Sequence, residues 1–142
     1  SAFPEHQRDQ TRLILSSVLK GIVSQRLIPR ATSFGMVPAV EVLVSTARVR
    51  EYIADKEKLR DLREVIGQGY TTYGMQTFDQ SLMSLLKNNL ITRDEALSNA
   101  TNPADFELKL RGIASTSDSR WEEFETRGGV ESTKPKVEIE RF

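Results

Sequence analysis

The amino-acid sequence predicts a mainly α-helical fold with one antiparallel β-hairpin. Several segments carry apolar residues at helical spacing, and residues typical of helix ends flank them. An alternating apolar run over 37–44 follows a short polar turn, a pattern typical of the second strand of a hairpin. With 142 residues, the chain is long enough for one domain with a hydrophobic core, or for part of a domain.

The composition excludes several classes of function. Basic and acidic residues number 20 each, and a net charge of zero argues against a general nucleic-acid binder, although not against a local basic patch. The absence of cysteine excludes disulfides and thiolate metal sites, and one histidine, His6, cannot form a histidine-rich site. We expect His6 on the surface of the first helical turn. No apolar run approaches the ~20 residues of a membrane span and no signal segment opens the chain, so we expect a soluble protein of a reducing compartment.

The first predicted element is a long helix over Glu5–Gln25. Leu15, Leu19 and Ile22 repeat at helical spacing on one face of it. Gly21 lies inside this pattern, where glycine costs about 1 kcal/mol relative to alanine. We expect a packing role for Gly21, and the close approach of a second backbone is the alternative.

A β-hairpin follows this helix. Its first strand is predicted at Gln25–Arg30 and, because Pro29 cannot donate to a ladder, at the edge of a sheet. The turn is Thr32–Gly35 and the return strand is Val37–Val44. By the two-residue period of a strand, one face carries Val40, Val42 and Val44, and the other carries Glu41 and Leu43.

Helices are predicted for the rest of the chain up to residue 113. Ser45 or Thr46 can cap a short helix, and Gly67 and Gly69, which tolerate positive φ, end the second. The third closes near Asn88-Asn89. The apolar residues that mark these three helices are Val49, Tyr52 and Ile53, then Leu59, Leu62, Val65 and Ile66, then Phe78, Leu82, Leu85 and Leu86.

Two further helix starts carry clear capping signals. Thr92 and Glu95 have the spacing of a capping box, in which each side chain bonds the backbone N–H of the other residue. Asn102 is the predicted cap of the last helix, with Pro103 at its first position. The buried face of that helix is predicted to comprise Phe106, Leu110 and Ile113.

The sequence changes character at residue 114. Residues 114–142 are polar, and this composition predicts a mobile tail. Two apolar pairs are exceptions, since Trp121 and Phe124 lie three residues apart and Val137 and Ile139 alternate with charged residues. The first pair suits docking on a surface as one helical turn, and the second suits the addition of an edge strand to a partner.

No complete catalytic site is evident in the sequence. It contains no phosphate loop of the form G-x-x-x-x-G-K-[ST], no G-x-G-x-x-G and no G-x-S-x-G. Adjacent acids such as Asp94 and Glu95 point about 100° apart on a helix and do not converge. Arginine is the remaining candidate for a functional side chain, because a separate element can supply an arginine to a phosphate site. The candidates are Arg26, Arg30, Arg48 and Arg50, and an ordinary surface role is the alternative for each.

Four segments of the chain together resemble one protein family. They are Leu19–Arg30, Gly74–Leu82, Leu90–Leu97 and the helix that begins at Asn102-Pro103. In this order and spacing they resemble the type IV pilus twitching-motility ATPases, the PilT retraction family of secretion ATPases. The resemblance covers residues 1–113 and not the tail.

The resemblance implies the C-terminal piece of a RecA-like α/β ATPase domain followed by a helical subdomain. Residues 1–45 are then the end of the ATPase core, 46–113 the helical subdomain and 114–142 a polar tail. In the family, the phosphate loop, the acidic boxes and a histidine box precede this region, and Ser1–Pro4 resembles the segment just after the histidine box. Since the chain also begins without methionine, we expect a fragment of a longer protein that is inactive alone.

The resemblance also implies the cofactors and partners of the parent protein. The parent is expected to bind ATP and Mg, to assemble as a hexamer, and to contact the inner-membrane pilus platform protein from the cytoplasmic side. For the fragment alone we expect no bound nucleotide. We expect neither nucleic-acid binding nor membrane insertion.

Two groups of site residues follow from the resemblance. Gln25, Arg26 and Leu27 are expected near the nucleotide. The family's retraction motif, Ala-Ile-Arg-Asn-Leu-Ile-Arg, corresponds to Arg48–Ala54, in which Arg50 and Ile53 match. Val49 is a close substitution, and the departures are Arg48, Glu51, Tyr52 and Ala54.

Helical spacing alone suggests how this segment is oriented. It turns Val49, Tyr52 and Ile53 inward. It leaves Arg48, Arg50 and Glu51 free for a neighbour. A subunit interface and a plain amphipathic helix therefore both remain open.

A related class of ATPase and two unrelated functions also fit parts of the sequence. Pilus-assembly and type II secretion ATPases have a similar architecture but usually insert a four-cysteine metal subdomain after the strand that corresponds to Leu27–Arg30. The short turn Ala31–Gly35 and the absence of cysteine favour the retraction type. The two unrelated functions are a stand-alone helical protein-interaction module and a helical nucleic-acid-binding domain that uses the four arginines.

Overall fold

The computed structural model describes residues 4–32 and 34–112. Within these residues, β1 and β2 form a two-stranded antiparallel sheet and the other elements are helical, which confirms the predicted mainly α fold with one hairpin. In chain order the elements are α1 (Glu5–Val18), β1 (Gly21–Pro29), β2 (Met36–Val44), α2 (Ala47–Ala54), a 3-10 turn (Lys58–Asp61), α3 (Leu62–Gln68), α4 (Tyr70–Tyr73), α5 (Phe78–Lys87), α6 (Arg93–Asn99) and α7 (Pro103–Leu110).

The first helix is shorter than its apolar periodicity predicts. It ends at Val18, and residues 21–25, which we expected to be helical, belong to β1. An ideal Cβ on Gly21 would lie 2.9 Å from the Leu43 carbonyl oxygen, so only glycine lets the two backbones come this close. The packing role expected of Gly21 inside a helix was wrong, and the alternative of close backbone approach is what the structure contains. The β-branched residues Ile22 and Val23 favour the extended conformation that follows.

The hairpin is longer than predicted, with nine residues in each strand. Its register runs from Gly21 opposite Val44 to Pro29 opposite Met36, so Arg30 lies beyond the strand. At the turn, the Arg30 N–H donates to the Gly35 carbonyl at 3.2 Å, and Gly35 adopts φ +109°. A positive φ of this size is open to glycine and strained for other residues.

Two hydrophobic cores lie on the hairpin. The first core holds seven buried residues: Ile28, Ala39, Leu82, Met83, Ile91, Ala96 and Phe106. The second core holds six: Leu43, Val49, Ile53, Val65, Ile66 and Met75. Both strands contribute buried residues to the first core, and β2 also contributes one to the second core. The hairpin therefore packs against both groups of helices.

The predicted helix caps are mostly present. Thr46 accepts a hydrogen bond from the Val49 N–H at 3.2 Å, and Asn102 accepts one from the Asp105 N–H at 3.2 Å. Thr92 accepts from the Glu95 N–H at 3.2 Å, which is one half of the predicted capping box. The Glu95 carboxylate lies instead 3.5 Å from the Asn99 amide nitrogen.

Two features of the helix ends differ from the prediction. Gly67 lies within α3 rather than after it, and Gly69 has φ −84°, so neither uses the positive φ expected of a glycine stop. The complete capping box lies at α5, where the Thr77 hydroxyl accepts from the Gln80 N–H and the Gln80 side chain accepts from the Thr77 N–H. The T-x-x-Q spacing at Thr77 is the sequence signal for this box.

Several sequence predictions lie outside the described residues. These are Ile113 on the face of α7, the mobile tail at 114–142 with its pairs Trp121/Phe124 and Val137/Ile139, and the side chain of His6. Of the helices in the described ranges, none combines the length and the apolar character that a bilayer crossing requires.

Candidate functional site

The two outer edges of the hairpin differ. On the β2 edge, Val42 and Gln76 exchange two backbone hydrogen bonds, at 2.8 and 3.0 Å. The Gln76 side chain also donates to the Val40 carbonyl at 2.8 Å. Gln76 therefore covers the β2 edge much as a short third strand would.

The β1 edge has no such cover within the described residues, where β2 is its one strand partner. Three large apolar side chains of β1 are exposed: Ile22 at 46%, Val23 at 72% and Leu27 at 59%. Val23 and Leu27 lie on one face and Ile22 on the other, by the two-residue period. A long apolar edge is an arrangement that folded proteins normally avoid, because it is a template for pairing with another strand.

Helix α1 presents a second apolar surface. Leu13, Ile14 and Val18 are each more than half exposed although α1 packs against α2. An open depression of about 570 Å³ lies between these helices, lined by Leu13, Ile14, Ser16, Ser17 and Arg50. Apolar side chains on both α1 and β1 are therefore available for burial against further protein.

The residues expected near the nucleotide lie in the middle of β1. Gln25, Arg26 and Leu27 face Val40, Ala39 and Pro38 across the hairpin, and all three are exposed. Arg26 contacts the helices: its guanidinium carbon lies 4.5 Å from the centroid of the Phe78 ring. Its Nη1 donates to the Asn99 carbonyl at 3.1 Å.

Helix α2 buries one face of the predicted retraction motif. Val49 and Ile53 are buried in the second core and Tyr52 packs partly against it, as helical spacing predicted. The three charged residues are exposed, but each has an intrachain partner instead of being free. Arg48 donates to the Gln68 side chain at 3.0 Å and Arg50 to the Ser45 carbonyl at 3.3 Å.

Glu51, the third charged residue, forms an ion pair with Lys58. The hydrogen bond and charge of Glu51 raise the pKa of Lys58 above its ordinary 10.5. Arg48 and Lys58 lie 5.6 and 6.0 Å from the centroid of the Tyr52 ring. Exposed contacts of this kind are weak, because solvent screens the charges.

The four candidate arginines do not share one set of contacts. Arg26 contacts α5 and α6, whereas Arg48 contacts α3 and Arg50 contacts Ser45, the residue after β2. Sequence reasoning missed Phe78 and Asn99 as partners of Arg26, because neither residue carries a local signal that relates it to a distant strand.

The sequence is similar to proteins of the type IV pilus. It is 34% identical over 117 residues to the type IV pilus ATPase PilU of Pseudomonas aeruginosa, a match that covers 82% of this chain and 30% of PilU. It is 34% identical over 100 residues to a twitching motility protein of Neisseria gonorrhoeae, covering 70% of this chain and 26% of that protein. The P. aeruginosa retraction ATPase PilT is 33% identical over 104 residues, covering 73% of this chain and 29% of PilT. No family model matches the sequence.

The fold is similar to a solved structure of the same group. The crystal structure of the pilus retraction motor PilT with bound ADP superposes with a TM-score of 0.63 and 34% identity, covering 75% of this chain and 28% of that chain. The chain spans less than a third of the length of each of these proteins. Both its sequence and its fold therefore match one part of a larger protein, and the chain belongs to the PilT family of type IV pilus ATPases.

Proposed function

We propose that this chain is the C-terminal, mostly helical part of a hexameric ATPase that powers pilus retraction. In this proposal residues 1–45 complete the RecA-like ATPase core and residues 46–113 form the helical subdomain. The rest of the protein binds ATP and Mg and carries out hydrolysis. This part transmits the resulting motion between subunits.

The observation that carries the proposal is the uncovered edge of β1. Among the described residues β1 has no strand partner other than β2, and its Ile22, Val23 and Leu27 expose apolar surface that a neighbouring strand of an ATPase sheet would bury. The exposed Leu13 and Ile14 of α1 supply further surface for the same contact. An apolar strand edge and helix face of this kind suit the interior of a larger α/β domain better than a surface exposed to water.

Helix α2 is the proposed contact with a neighbouring subunit. Its buried residues Val49 and Ile53 fix the helix on the second core, while Arg48, Arg50 and Glu51 remain at the surface. The Arg50 bond to the Ser45 carbonyl is long, at 3.3 Å, and is the easiest of the three to exchange. Arg50 is also one of the two residues that match the family motif.

The remaining parts of the proposal concern cofactors, partners and location. The relative solved with ADP and the relatives named as ATPases support nucleotide binding by the parent protein. In this proposal Gln25, Arg26 and Leu27 lie near that nucleotide. The proposed partners are other copies of the parent and the inner-membrane pilus platform protein, and the proposed location is the cytoplasmic face of that membrane. Nucleic-acid binding, membrane insertion and nucleotide binding by the 142 residues alone form no part of the proposal.

ATPase activity of the purified 142-residue chain tests whether ATP hydrolysis requires the rest of the protein. We expect no turnover, because the chain contains no phosphate loop. The product of the complete gene is expected to hydrolyse ATP, and its upstream sequence is expected to contain G-x-x-x-x-G-K-[ST]. Turnover by the isolated chain, or an upstream sequence without this loop, would overturn the proposal.

Two arginine-to-alanine substitutions test the role of α2. In the complete protein, Arg50→Ala is expected to impair pilus retraction far more than thermal stability. Arg63→Ala is the matched control, since Arg63 is an exposed arginine on α3 outside the motif. Equal loss of retraction and stability in Arg50→Ala would assign α2 a structural role only.

A further inference from the structure

Arg26 connects β1 to two helix ends at once. Its guanidinium lies over the ring of Phe78, the first residue of α5, at 4.5 Å from the centroid. Its Nη1 reaches the carbonyl of Asn99, the last residue of α6, at 3.1 Å. Both contacts cross from the hairpin to the helical part of the chain.

The contact with Asn99 has a specific physical role. The last carbonyls of a helix have no partner within the helix and carry the negative end of its dipole. A cation is therefore favoured at this position, and Arg26 supplies it from a strand 73 residues away. The neighbouring segment is also tied to α5, because the Asp79 carboxylate accepts from the Thr101 N–H at 2.8 Å.

Arginine suits both contacts in a way that lysine does not. The planar guanidinium can stack on a ring and still direct an N–H in its plane towards a carbonyl. Ile28 and the bond from the Ala31 N–H to the Leu90 carbonyl hold the turn end of the hairpin. Arg26 connects the middle of β1 to α5 and α6.

We propose that Arg26 is a positioning residue that links the middle of β1 to the start of α5 and the end of α6. A displacement of β1 then moves both helix ends together, because the Arg26 side chain is held by contacts with both of them. The proposal rests on the proposed function in one respect, namely that nucleotide acts on the Gln25–Leu27 segment. It identifies the route by which that action reaches the helical subdomain.

The test measures amide hydrogen exchange in the complete ATPase, with and without nucleotide, over residues 21–29 and 93–101. The variants change Phe78, which lies outside the proposed nucleotide site. Phe78→Leu keeps an apolar side chain against the first core but removes the ring face, and Phe78→Tyr keeps the ring. Wild type and Phe78→Tyr are expected to respond to nucleotide in both segments.

Phe78→Leu is expected to keep the nucleotide response of 21–29. Its response over 93–101 should shrink by about twofold or more, in line with the size of coupling that single residues carry between sites. An undiminished response over 93–101 in this variant would overturn the link through Arg26 and leave the proposed function intact. Absence of a response over 21–29 in wild type would overturn the placement of nucleotide near β1, and the proposed route with it.

A double-mutant cycle in the 142-residue chain tests the link without nucleotide. Arg26→Met, Phe78→Leu and the double variant are compared by urea unfolding. The effects on the folding equilibrium constant should deviate from additivity by about two- to fivefold, the range for a cation over an aromatic ring at an exposed site. Arg26→Met combined with Tyr52→Leu is the control and should be additive, because Tyr52 packs against the second core. Additivity in the Phe78 cycle would overturn the proposal.

Discussion

The buried Ser81 hydroxyl of α5 accepts a hydrogen bond from the Val40 N–H of β2 at 2.9 Å. The Val40 carbonyl accepts from the Gln76 side chain, so both backbone groups of this strand residue are bonded on the outer edge. Helix α5 and the segment before it therefore take the place of a third strand. This arrangement covers the β2 edge, whereas the β1 edge has no strand against it among residues 4–32 and 34–112.

Replacement of Ser81 by alanine should destabilise the 142-residue chain by about 1–3 kcal/mol, because it leaves the Val40 N–H without an acceptor. The free energy of unfolding in urea measures this loss. Ser84→Ala, at a half-buried position on the same helix, leaves the Val40 bond intact and is expected to cost much less. Equal losses in the two variants would mean that the Ser81–Val40 bond contributes little.

Two glycines near α3 should respond in opposite directions to alanine. An ideal Cβ on Gly69 would lie 2.1 Å from the Met75 methyl carbon and 3.3 Å from the Met75 Cβ, and Met75 is 1% exposed. Gly69→Ala is therefore expected to cost about 1–3 kcal/mol as an overpacked core. Gly67→Ala meets only the Thr77 methyl group at 3.7 Å and should stabilise α3 by up to about 1 kcal/mol. Thermal unfolding of both variants decides the matter, and a neutral Gly69→Ala would show that Met75 can move aside.

The two threonine caps should differ in strength. Thr77 and Gln80 exchange both capping-box bonds at a buried site, whereas Thr92 makes one cap bond at an exposed site. We expect Thr77→Ala to cost about 1–2 kcal/mol and Thr92→Ala about 0.5–1 kcal/mol. Urea unfolding of the two variants ranks them. A larger loss for Thr92→Ala would contradict this assignment.

The carboxyl group of Glu107 should titrate below its usual range. The hydrogen bond and charge of Arg111, and then Arg93, hold the pKa of Glu107 below its ordinary 4.5. A lowered pKa in the folded chain means that the carboxylate stabilises the fold above pH 4.5, and that this contribution is lost as the pH falls through the lowered value. In an NMR titration, Arg111→Gln should raise the pKa of Glu107 towards 4.5 more than Arg93→Gln does. A larger rise in Arg93→Gln would reverse the assigned order of the two arginines.

The open edge of β1 should make the isolated chain self-associate. A lysine on an edge strand opposes pairing with another chain, so Val23→Lys is expected to shift the chain towards monomer in sedimentation experiments. Leu108→Lys is the control, because Leu108 is an exposed apolar residue that belongs to α7 and not to the hairpin. If both variants reduce association equally, general apolar exposure and not the β1 edge is responsible.

Local signals predicted much of the helical part. The caps at Thr46, Thr92 and Asn102 and the inward residues Val49 and Ile53 lie where the sequence indicated. These features depend on residues within one or two turns of each other, so a short window of sequence contains the whole interaction. The assignment to the pilus ATPases also followed from ordered motifs along the chain, and the relatives confirm it.

The sequence by itself determined the mainly helical fold class, the main helix faces, most of the capped ends and the absence of a phosphate loop. Only the tertiary structure decided where α1 ends, because residues 21–25 pair with β2 as a strand instead of continuing the helix. It also decided that Arg26 contacts Phe78 and Asn99, and that the β2 edge is covered while the β1 edge is open within the described residues. Such contacts join residues that are distant in sequence, so the local periodicity, which predicted a helix through Gln25, contained no information about them.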